Sequence, residues 1–442
     1  MNRLLTCIAI LIFLGGLLAP QSPAQELAPE SYIPVLLKPF NKMVLDSSLN
    51  VITDSCHSLD TFYNQLAQLK MARLNDGTRV VSVLHLGDSH IQAGFLTGTV
   101  MRRFHHDFGN AGRGLITPLR MAKTNEPTDY IIRSDDKNWE SAKVIQFRRT
   151  MPVGPGGVAI MNPAARFSLT VRALEKNETE DYSFNRIHIL QEPGAPQLFV
   201  DDEKIDALSS HVANENPYAT TIQLDHRVSE INLTGAAAAG HRDSSIYYGF
   251  ILENGKNGVL YHSAGVNGAQ YLHWSRLADW GQKCAALAPK LIILSMGTNE
   301  SLRGARFVDQ TFVNEIDLIV SRLKADNPCA VILLTTPPES FLRQRVGGQT
   351  VYKPNPLVKR ISELIVQYAA EKGYACWDLF SISGGEGSSQ MWLDNDLFGR
   401  DRLHFTAEGY DVIGNYLYRA ILKGYNEYVA NPDGEPAPDP AI

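Results

Sequence analysis

The stretch RVVSVLHLGDSH, residues 79–90, decides the fold of this chain. Its apolar part, Arg79 to Leu86, is typical of a buried strand, and Gly87 permits a sharp turn directly after it. Apolar side chains then recur at helical spacing, which predicts a helix from Ile91 to Phe108. A strand, a tight turn and a helix form the basic α/β unit, and functional sites gather at the carboxyl ends of such strands.

The same alternation returns in the second half of the chain. We predict further strands at 258–263, 291–296, 330–335 and 375–379. Helices are predicted at 58–74, 270–287, 308–325, 356–372 and 407–428. Successive strands separated by helices favour a doubly wound parallel sheet.

Residues 115–250 have a different pattern. Short alternating runs occur at 166–174, 186–190, 197–200 and 220–224, with Gly, Pro, Asn and Asp between them and no long helical segment. This predicts an inserted antiparallel β-sandwich. The α/β domain then consists of 26–114 and 251–428, and the acidic, Pro-rich residues 429–442 are predicted to be a disordered tail.

The first 25 residues resemble an export signal. A short positive start is followed by an apolar run from Leu4 to Leu18 and a small, polar stretch, and we place cleavage near Ala24. The run is shorter than the roughly 20 apolar residues that span a bilayer, so we expect no membrane span after signal removal. The mature protein is therefore expected to be periplasmic or extracellular.

Composition limits the partners and cofactors. The net charge of −6 and the lack of a long basic run argue against nucleic acid. No CxxC, HExxH or GxxxxGK[ST] motif occurs, so neither a metal nor a nucleotide cofactor is expected. After signal removal four cysteines remain, which permits disulfides or buried free thiols without deciding between them: Cys56, Cys284, Cys329 and Cys376. The oligomeric state is not indicated.

Four short motifs fall at predicted strand ends or loops: GDSH (87–90), GVNGA (265–269), GTNE (297–300) and DRLH (401–404). Ser89 would begin a helix, where free backbone N–H groups favour negative charge, although a serine there is also an ordinary N-cap. The glycine loop and Asn299 could donate N–H groups to an oxyanion, or merely form turns. In the last motif, Asp401 can fold back to His404 and fix its tautomer; a surface salt bridge is the alternative.

These motifs, in this order along a parallel α/β scaffold, resemble the SGNH (GDSL-type) hydrolase family. The resemblance covers residues 79–428. It implies an SGNH/flavodoxin-like three-layer sandwich and a carboxylic ester hydrolase that needs no cofactor. Ser89 would be the nucleophile, His404 the general base and acid, and Asp401 the group that orients His404. The Ser89 N–H, the Gly268 N–H and the Asn299 side chain would form the oxyanion hole.

Two details refine this resemblance. Glu300 stands where the family usually has Asp, so we expect a small geometric change there. The GxSxG elbow of the α/β-hydrolase fold does not occur.

A narrower resemblance involves GDSHIQAGFLTG, residues 110–118 and YHSAGVNGAQY. These stretches are similar to bacterial peptidoglycan O-acetylesterases, in which a carbohydrate-binding-like β module separates the serine and glycine motifs. The resemblance implies removal of acetyl from the C6 hydroxyl of N-acetylmuramic acid in peptidoglycan. Candidate sugar-binding aromatics in the inserted domain, each of which could equally be a core residue, are Tyr182, Phe199, Tyr218 and Tyr247.

Other functions fit the same residues. The triad could transfer acetyl to a polysaccharide, or the esterase could act on xylan or other O-acetylated glycans. A non-catalytic wall-binding protein is a further alternative, disfavoured by the complete set of motif residues. His90 is a candidate substrate contact, although a histidine there is more often a helix-start residue.

Overall fold

The computed structural model describes residues 45, 47–74, 79–164, 166–174, 180–201, 207–213, 216–236 and 245–430. The predicted signal peptide and residues 431–442 of the predicted tail lie outside these ranges. The last helix ends at Ala430, so residues 429 and 430, which we predicted as tail, are helical.

The α/β part contains a five-stranded parallel sheet, as the sequence predicted. Its strands are β1 (Val80–Gly87), β13 (Gly258–Gly265), β14 (Leu291–Ser295), β15 (Val331–Thr335) and β18 (Ala375–Trp377). Their spatial order is β13-β1-β14-β15-β18, so the chain starts inside the sheet and reverses direction beside β1. This is the 2-1-3-4-5 order of flavodoxin-like folds, which confirms the predicted fold class.

The register of the sheet brings three of the four motifs together. Gly87 at the end of β1 pairs with Gly265 at the end of β13 and with Ser295 at the end of β14. The loops that leave these strands therefore begin at one edge of the sheet. That edge lies at the point where the strand order reverses, which is where open α/β sheets bind their ligands.

Ten helices surround this sheet within the described residues: α1 (Asp60–Leu74), α2 (Ser89–Gln92), α3 (Phe95–Phe108), α4 (Tyr271–Trp274), α5 (Trp280–Ala285), α6 (Asp309–Asp326), α7 (Pro356–Lys372), α8 (Leu379–Ile382), α9 (Ser388–Asp394) and α10 (Ala407–Ala430). Short 3-10 helices occupy Ser47–Leu49 and Glu300–Arg306. Two predicted helices are wrong in extent. The 91–108 helix is divided by Gly94, whose φ of +75° ends α2 and starts α3. The 270–287 helix is two short helices, α4 and α5.

The inserted domain contains two antiparallel sheets. Its strands are β2 (Gly114–Ile116), β3 (Tyr130–Arg133), β4 (Glu140–Lys143), β5 (Val158–Met161), β6 (Arg166–Ala173), β7 (Phe184–Gln191), β8 (Leu198–Val200), β9 (Ala207–Ala213), β10 (Ala219–Val228), β11 (Glu230–Ala236) and β12 (Ile246–Glu253). One sheet is β4-β5-β12-β7-β10-β9 with β2 on β12, and the other is β3-β6-β11-β8. Phe167 of one sheet packs on Tyr247 of the other, with ring centroids 5.8 Å apart. The β pattern extends slightly beyond 115–250, because β2 begins at Gly114 and β12 ends at Glu253.

A β-hairpin within the α/β part was not predicted. Within the described part of the chain, strands β16 (Phe341–Val346) and β17 (Gln349–Pro354) pair only with each other. Gly347 and Gly348 form its turn, and both have positive φ. Most of its side chains are exposed, but Phe341 at its base is buried.

Candidate active site

Ser89 follows β1 at a turn that only small residues permit. A Cβ atom on Gly87 would lie 2.6 Å from the Ser295 carbonyl oxygen, and one on Gly265 would lie 2.2 Å from the Gln92 backbone nitrogen. Helix α2, which begins at Ser89, therefore packs directly onto the ends of the strands. The motif glycines are explained by this close approach rather than by a positive φ at either position.

Three of the predicted residues form a continuous hydrogen-bonded relay. The Ser89 Oγ atom lies 2.7 Å from His404 Nε2, and His404 Nδ1 lies 2.6 Å from Asp401 Oδ2. Ser89 and His404 are 315 positions apart in sequence, so the fold, and not local chain geometry, makes this contact. The arrangement matches the nucleophile, base and orienting acid of a Ser-His-Asp triad.

Asp401 also organises its own loop. Its Oδ1 atom accepts the backbone N–H groups of Leu403 and His404, at 3.0 and 3.1 Å. Partial burial opposes ionisation, but the hydrogen bonds from the His404 ring and these two N–H groups outweigh it and lower the pKa of Asp401. The carboxylate is therefore charged at neutral pH and can stabilise a protonated His404 ring.

Two of the predicted oxyanion donors are available to a ligand. Within the described part of the chain, neither the Ser89 N–H nor the Gly268 N–H has a hydrogen-bond acceptor. Gly268 has a φ of +77°, and the preceding Asn267 N–H donates to Gln92 Oε1 at 2.6 Å. That bond ties the glycine loop to the helix that starts at Ser89.

The third predicted donor, Asn299, is engaged within the protein. Its Nδ2 group donates to Asp88 Oδ2 and to the Ala269 carbonyl oxygen, both at 3.1 Å. Donation to an oxyanion would require one of these bonds to be exchanged. Asp88 also accepts the His90 N–H, and burial raises the pKa of Asp88 to about 6 despite these hydrogen bonds.

His90 lies behind the relay. Its side chain is buried, and its ring centroid is 5.3 Å from that of His404. Nδ1 is 2.9 Å from the Tyr410 hydroxyl, whereas the buried Nε2 has no partner among the described residues. Burial, and then the proximity of His404, lowers the pKa of His90 to about 3, so the ring is neutral. These surroundings favour a packing role over the predicted substrate contact.

Glu300 joins two of the motif loops. Its buried Oε1 accepts the Tyr271 backbone N–H at 2.7 Å, which links the GTNE loop to helix α4 after the glycine loop. Burial raises the pKa of Glu300 to about 8. The longer side chain found here in place of Asp thus reaches across to the neighbouring loop.

The hairpin β16–β17 supports the Asp401–His404 loop, and sequence reasoning did not predict it. The Arg402 guanidinium lies 4.5 Å from the Tyr352 ring centroid and 5.4 Å from that of Phe341. Phe341 N–H also donates to the Arg402 carbonyl oxygen at 3.0 Å. Arg402 has a φ of +57°, a rare conformation for a non-glycine residue, and these contacts stabilise it.

The aromatic candidates of the inserted domain have different environments. Tyr182 and Tyr247 are core residues, Tyr218 is half-buried beside the Lys283 ammonium, and Phe199 is exposed. Phe147 was not among the predicted candidates. It is the most exposed large apolar residue in the described ranges, with 70% of its surface exposed.

The four described cysteines are free thiols, Cys56 and Cys329 exposed and Cys284 and Cys376 buried. Within the ranges described above, no group of three or more His, Cys, Asp or Glu side chains could hold a metal ion. No helix in these ranges is long and apolar enough to cross a membrane.

Comparison with known families agrees with this geometry. Residues 234–412 match the model of the GDSL-like lipase/acylhydrolase family. The match includes Gly268, Asn299, Asp401 and His404, while Ser89 precedes it because the inserted domain separates the serine motif from the others. Over residues 234–412 the chain is therefore similar to the GDSL-like lipase/acylhydrolase (SGNH) family, whose members are acyl hydrolases of the esterase class. No curated protein sequence matches it.

One solved structure is similar over most of the chain. A structure described as a peptidoglycan O-acetylesterase in action aligns over 86% of this chain and 99% of its own, with a TM-score of 0.64 and 20% identity, which establishes a shared fold. A lipase/acylhydrolase from Enterococcus faecalis aligns over 38% of this chain and 77% of its own, at 17% identity and a TM-score of 0.29. An acetylxylan esterase from Geobacillus stearothermophilus aligns over 38% and 73%, at 16% identity and a TM-score of 0.28.

Proposed function

We propose that this protein is an exported serine esterase that removes O-acetyl groups from a polysaccharide. The proposed substrate is peptidoglycan acetylated at the C6 hydroxyl of N-acetylmuramic acid. The observation that carries the proposal is the Ser89–His404–Asp401 relay, with Ser89 Oγ 2.7 Å from His404 Nε2. A serine in this contact is an activated nucleophile, because the imidazole can accept its proton as the oxygen attacks.

The reaction proceeds in two steps. His404 accepts the Ser89 proton as Oγ attacks the acetyl carbonyl carbon, and it returns that proton to the departing sugar hydroxyl. The acetyl group is then held on Ser89 as an ester. A water molecule, deprotonated by His404, attacks this ester, and acetate leaves as Oγ regains a proton. Asp401 stabilises the protonated imidazole in both steps.

The developing oxyanion is stabilised by backbone N–H groups that have no acceptor. Ser89 N–H and Gly268 N–H fit this role, since each is free within the described structure. Asn299 becomes a third donor when its amide exchanges the bond to the Ala269 carbonyl oxygen for one to the substrate. Each such donor typically contributes about 3 kcal/mol to the transition state.

Architecture supports the choice of a polysaccharide. The inserted β-sandwich separates the serine motif from the other three, and the peptidoglycan O-acetylesterase structure aligns over 99% of its own length, inserted domain included. An inserted module is not needed to hydrolyse a small ester, whereas a polymer needs binding surface outside the reacting group. The signal-like residues 1–25 support an exported enzyme, which would meet cell-wall material.

The test is acetate release from O-acetylated peptidoglycan by the purified mature protein. Ser89→Ala measures the background, and O-acetylated xylan is the alternative substrate. We expect release from peptidoglycan that Ser89→Ala abolishes. Release from xylan alone would contradict the substrate while retaining the esterase, and release from neither by a folded protein would contradict the proposed function.

A further inference from the structure

An exposed aromatic side chain marks a surface between the inserted domain and the hydrolase domain. Phe147 follows strand β4 in the inserted domain, and 70% of the residue is exposed. The Arg276 guanidinium of the hydrolase domain lies 4.4 Å from its ring centroid, and the His273 ring is 5.9 Å away at 72°. With so much of Phe147 exposed, the ring face opposite Arg276 remains open. Together with Phe147, three side chains form what we call the Phe147 surface: Arg149, His273 and Arg276.

The loop that presents Phe147 is held in place by hydrogen bonds. Arg149 Nη1 donates to the carbonyl oxygens of Val144 and Gln146, each at 3.0 Å. The Gln146 side chain in turn accepts the Lys143 backbone N–H at 2.7 Å. An exposed aromatic ring on an ordered loop loses little conformational entropy when it binds a ligand.

The Phe147 surface is positively charged in a protein whose net charge is −6. Neither Arg149 nor Arg276 forms an ion pair with a described acidic residue, and the two guanidinium groups are close enough to repel each other. Burial first, and then the charge of Arg276, lowers the pKa of Arg149. Like charges that lack an acidic partner favour the binding of an anion near them.

His273 adds a neutral donor. Burial, followed by the charges of Arg276, Arg303 and Arg149, lowers the pKa of His273 to about 4. Its Nδ1 atom accepts the Gln270 backbone N–H at 3.0 Å, so the neutral ring carries its proton on Nε2.

The same contacts connect the Phe147 surface to the oxyanion donors. Gln270 donates from its backbone to His273, and its side-chain Nε2 donates to the Asn299 carbonyl oxygen at 2.9 Å. Gln270 also follows Gly268 by two positions. One short segment of chain therefore joins the Phe147 surface to Gly268 and Asn299.

We propose that the Phe147 surface binds a carboxylate-bearing segment of the glycan beside the scissile acetyl ester. The open face of Phe147 packs against a sugar or peptide group, while Arg276 and Arg149 pair with the carboxylate. This inference rests on the proposed function, since peptidoglycan carries peptide carboxylates whereas the xylan backbone is uncharged. The Phe147 surface would make the enzyme prefer anionic over neutral O-acetylated polymers.

Binding can be measured without turnover. Protein carrying Ser89→Ala is sedimented with insoluble O-acetylated peptidoglycan at low and high NaCl, alone and combined with Arg276→Gln or Phe147→Ala. We expect either substitution to weaken binding about tenfold at low salt, the loss typical of one charge-assisted or aromatic contact. Added NaCl should weaken binding of the Ser89→Ala protein more than that of its Arg276→Gln derivative.

Arg133→Gln is the matched control. Arg133 is an exposed arginine of strand β3 with no described acidic partner, so its loss changes the net charge equally without affecting the Phe147 surface. Binding that Arg133→Gln weakens as much as Arg276→Gln would overturn the inference, because general charge would then suffice. Binding that survives both Arg276→Gln and Phe147→Ala, or no binding to peptidoglycan at low salt, would overturn it as well.

Activity separates this inference from the proposed function. In proteins that retain Ser89, hydrolysis of p-nitrophenyl acetate reports on the triad alone. The ratio of peptidoglycan to p-nitrophenyl acetate rates should fall about tenfold in Arg276→Gln. A fall in both rates together would instead indicate that Arg276 positions the oxyanion donors, and would contradict a binding role. A protein active on p-nitrophenyl acetate and xylan but not on peptidoglycan would contradict the proposed substrate.

Discussion

Replacing Asp401 with Asn tests the relay by changing a single interaction. The Asn side chain has the shape of Asp, and its oxygen can still accept the N–H groups of Leu403 and His404 that Oδ1 accepts now. The loop should therefore keep its conformation. The other carboxylate oxygen, 2.6 Å from His404 Nδ1, becomes an NH2 group. A donor at that distance forces Nδ1 to act as acceptor, so the neutral ring carries its proton on Nε2.

This tautomer cannot accept the Ser89 proton, because Nε2 is already protonated. The same substitution in buried triads costs about 10⁴-fold in kcat. Here the Asp401 side chain is 53% exposed, so water screens its charge. The fall in kcat should therefore be smaller than in a buried triad. We expect kcat to fall about 10²- to 10³-fold, which corresponds to roughly 3–4 kcal/mol of barrier.

The assay is initial-rate hydrolysis of p-nitrophenyl acetate, with thermal unfolding to confirm that the variant is folded. Asp394→Asn, an equivalent substitution at an exposed carboxylate on α9, is the control and should retain full activity. A folded Asp401→Asn protein within tenfold of the unmodified rate would refute the assignment of Asp401 as the orienting group.

Three further substitutions test the surroundings of the relay. Asn299→Ala should lower kcat at least about a hundredfold with little change in KM, measured on the same ester, because it removes a transition-state donor. Glu300→Gln should remove a pH dependence of stability: in the native protein the Glu300 carboxyl keeps its proton up to a pKa of about 8, whereas the unfolded chain ionises near 4.5. The free energy of unfolding should therefore fall as the pH rises from about 4.5 to about 8, by at most about 5 kcal/mol. Denaturant titrations of Glu300→Gln should show a weaker dependence of this free energy on pH. Gly87→Ala should reduce the free energy of unfolding by about 2–3 kcal/mol in the same titrations, since its Cβ would lie 2.6 Å from the Ser295 carbonyl oxygen; an unchanged value would contradict the tight turn.

The parts of the fold that depend on local pattern could be predicted from the sequence. Buried strands separated by helices predicted the parallel sheet, and the motifs were predicted at strand ends or loops. Helix continuity was predicted less well, because Gly94 adopts a left-handed conformation that apolar spacing does not reveal. Nor did spacing reveal that the 270–287 segment turns between Trp274 and Trp280, which pack on each other with centroids 4.6 Å apart.

The relay residues were found because their motifs are short and ordered along the chain. Their supports were not, because those depend on tertiary contacts. Nothing in the sequence around Arg402 indicates that it stacks on Tyr352 of a hairpin about 50 residues earlier. Phe147 was missed for a related reason: an aromatic residue is usually buried, and both its exposure and its contact with Arg276 depend on the tertiary structure.

The central claim is that Ser89 forms an acetyl ester during catalysis. It is tested most directly by rapid acid quenching of the protein with excess p-nitrophenyl acetate, followed by peptide mass spectrometry. We predict one added acetyl group, located on Ser89, and none on the corresponding peptide of Ser89→Ala. Acetyl on another residue, or full hydrolysis by Ser89→Ala, would contradict the account.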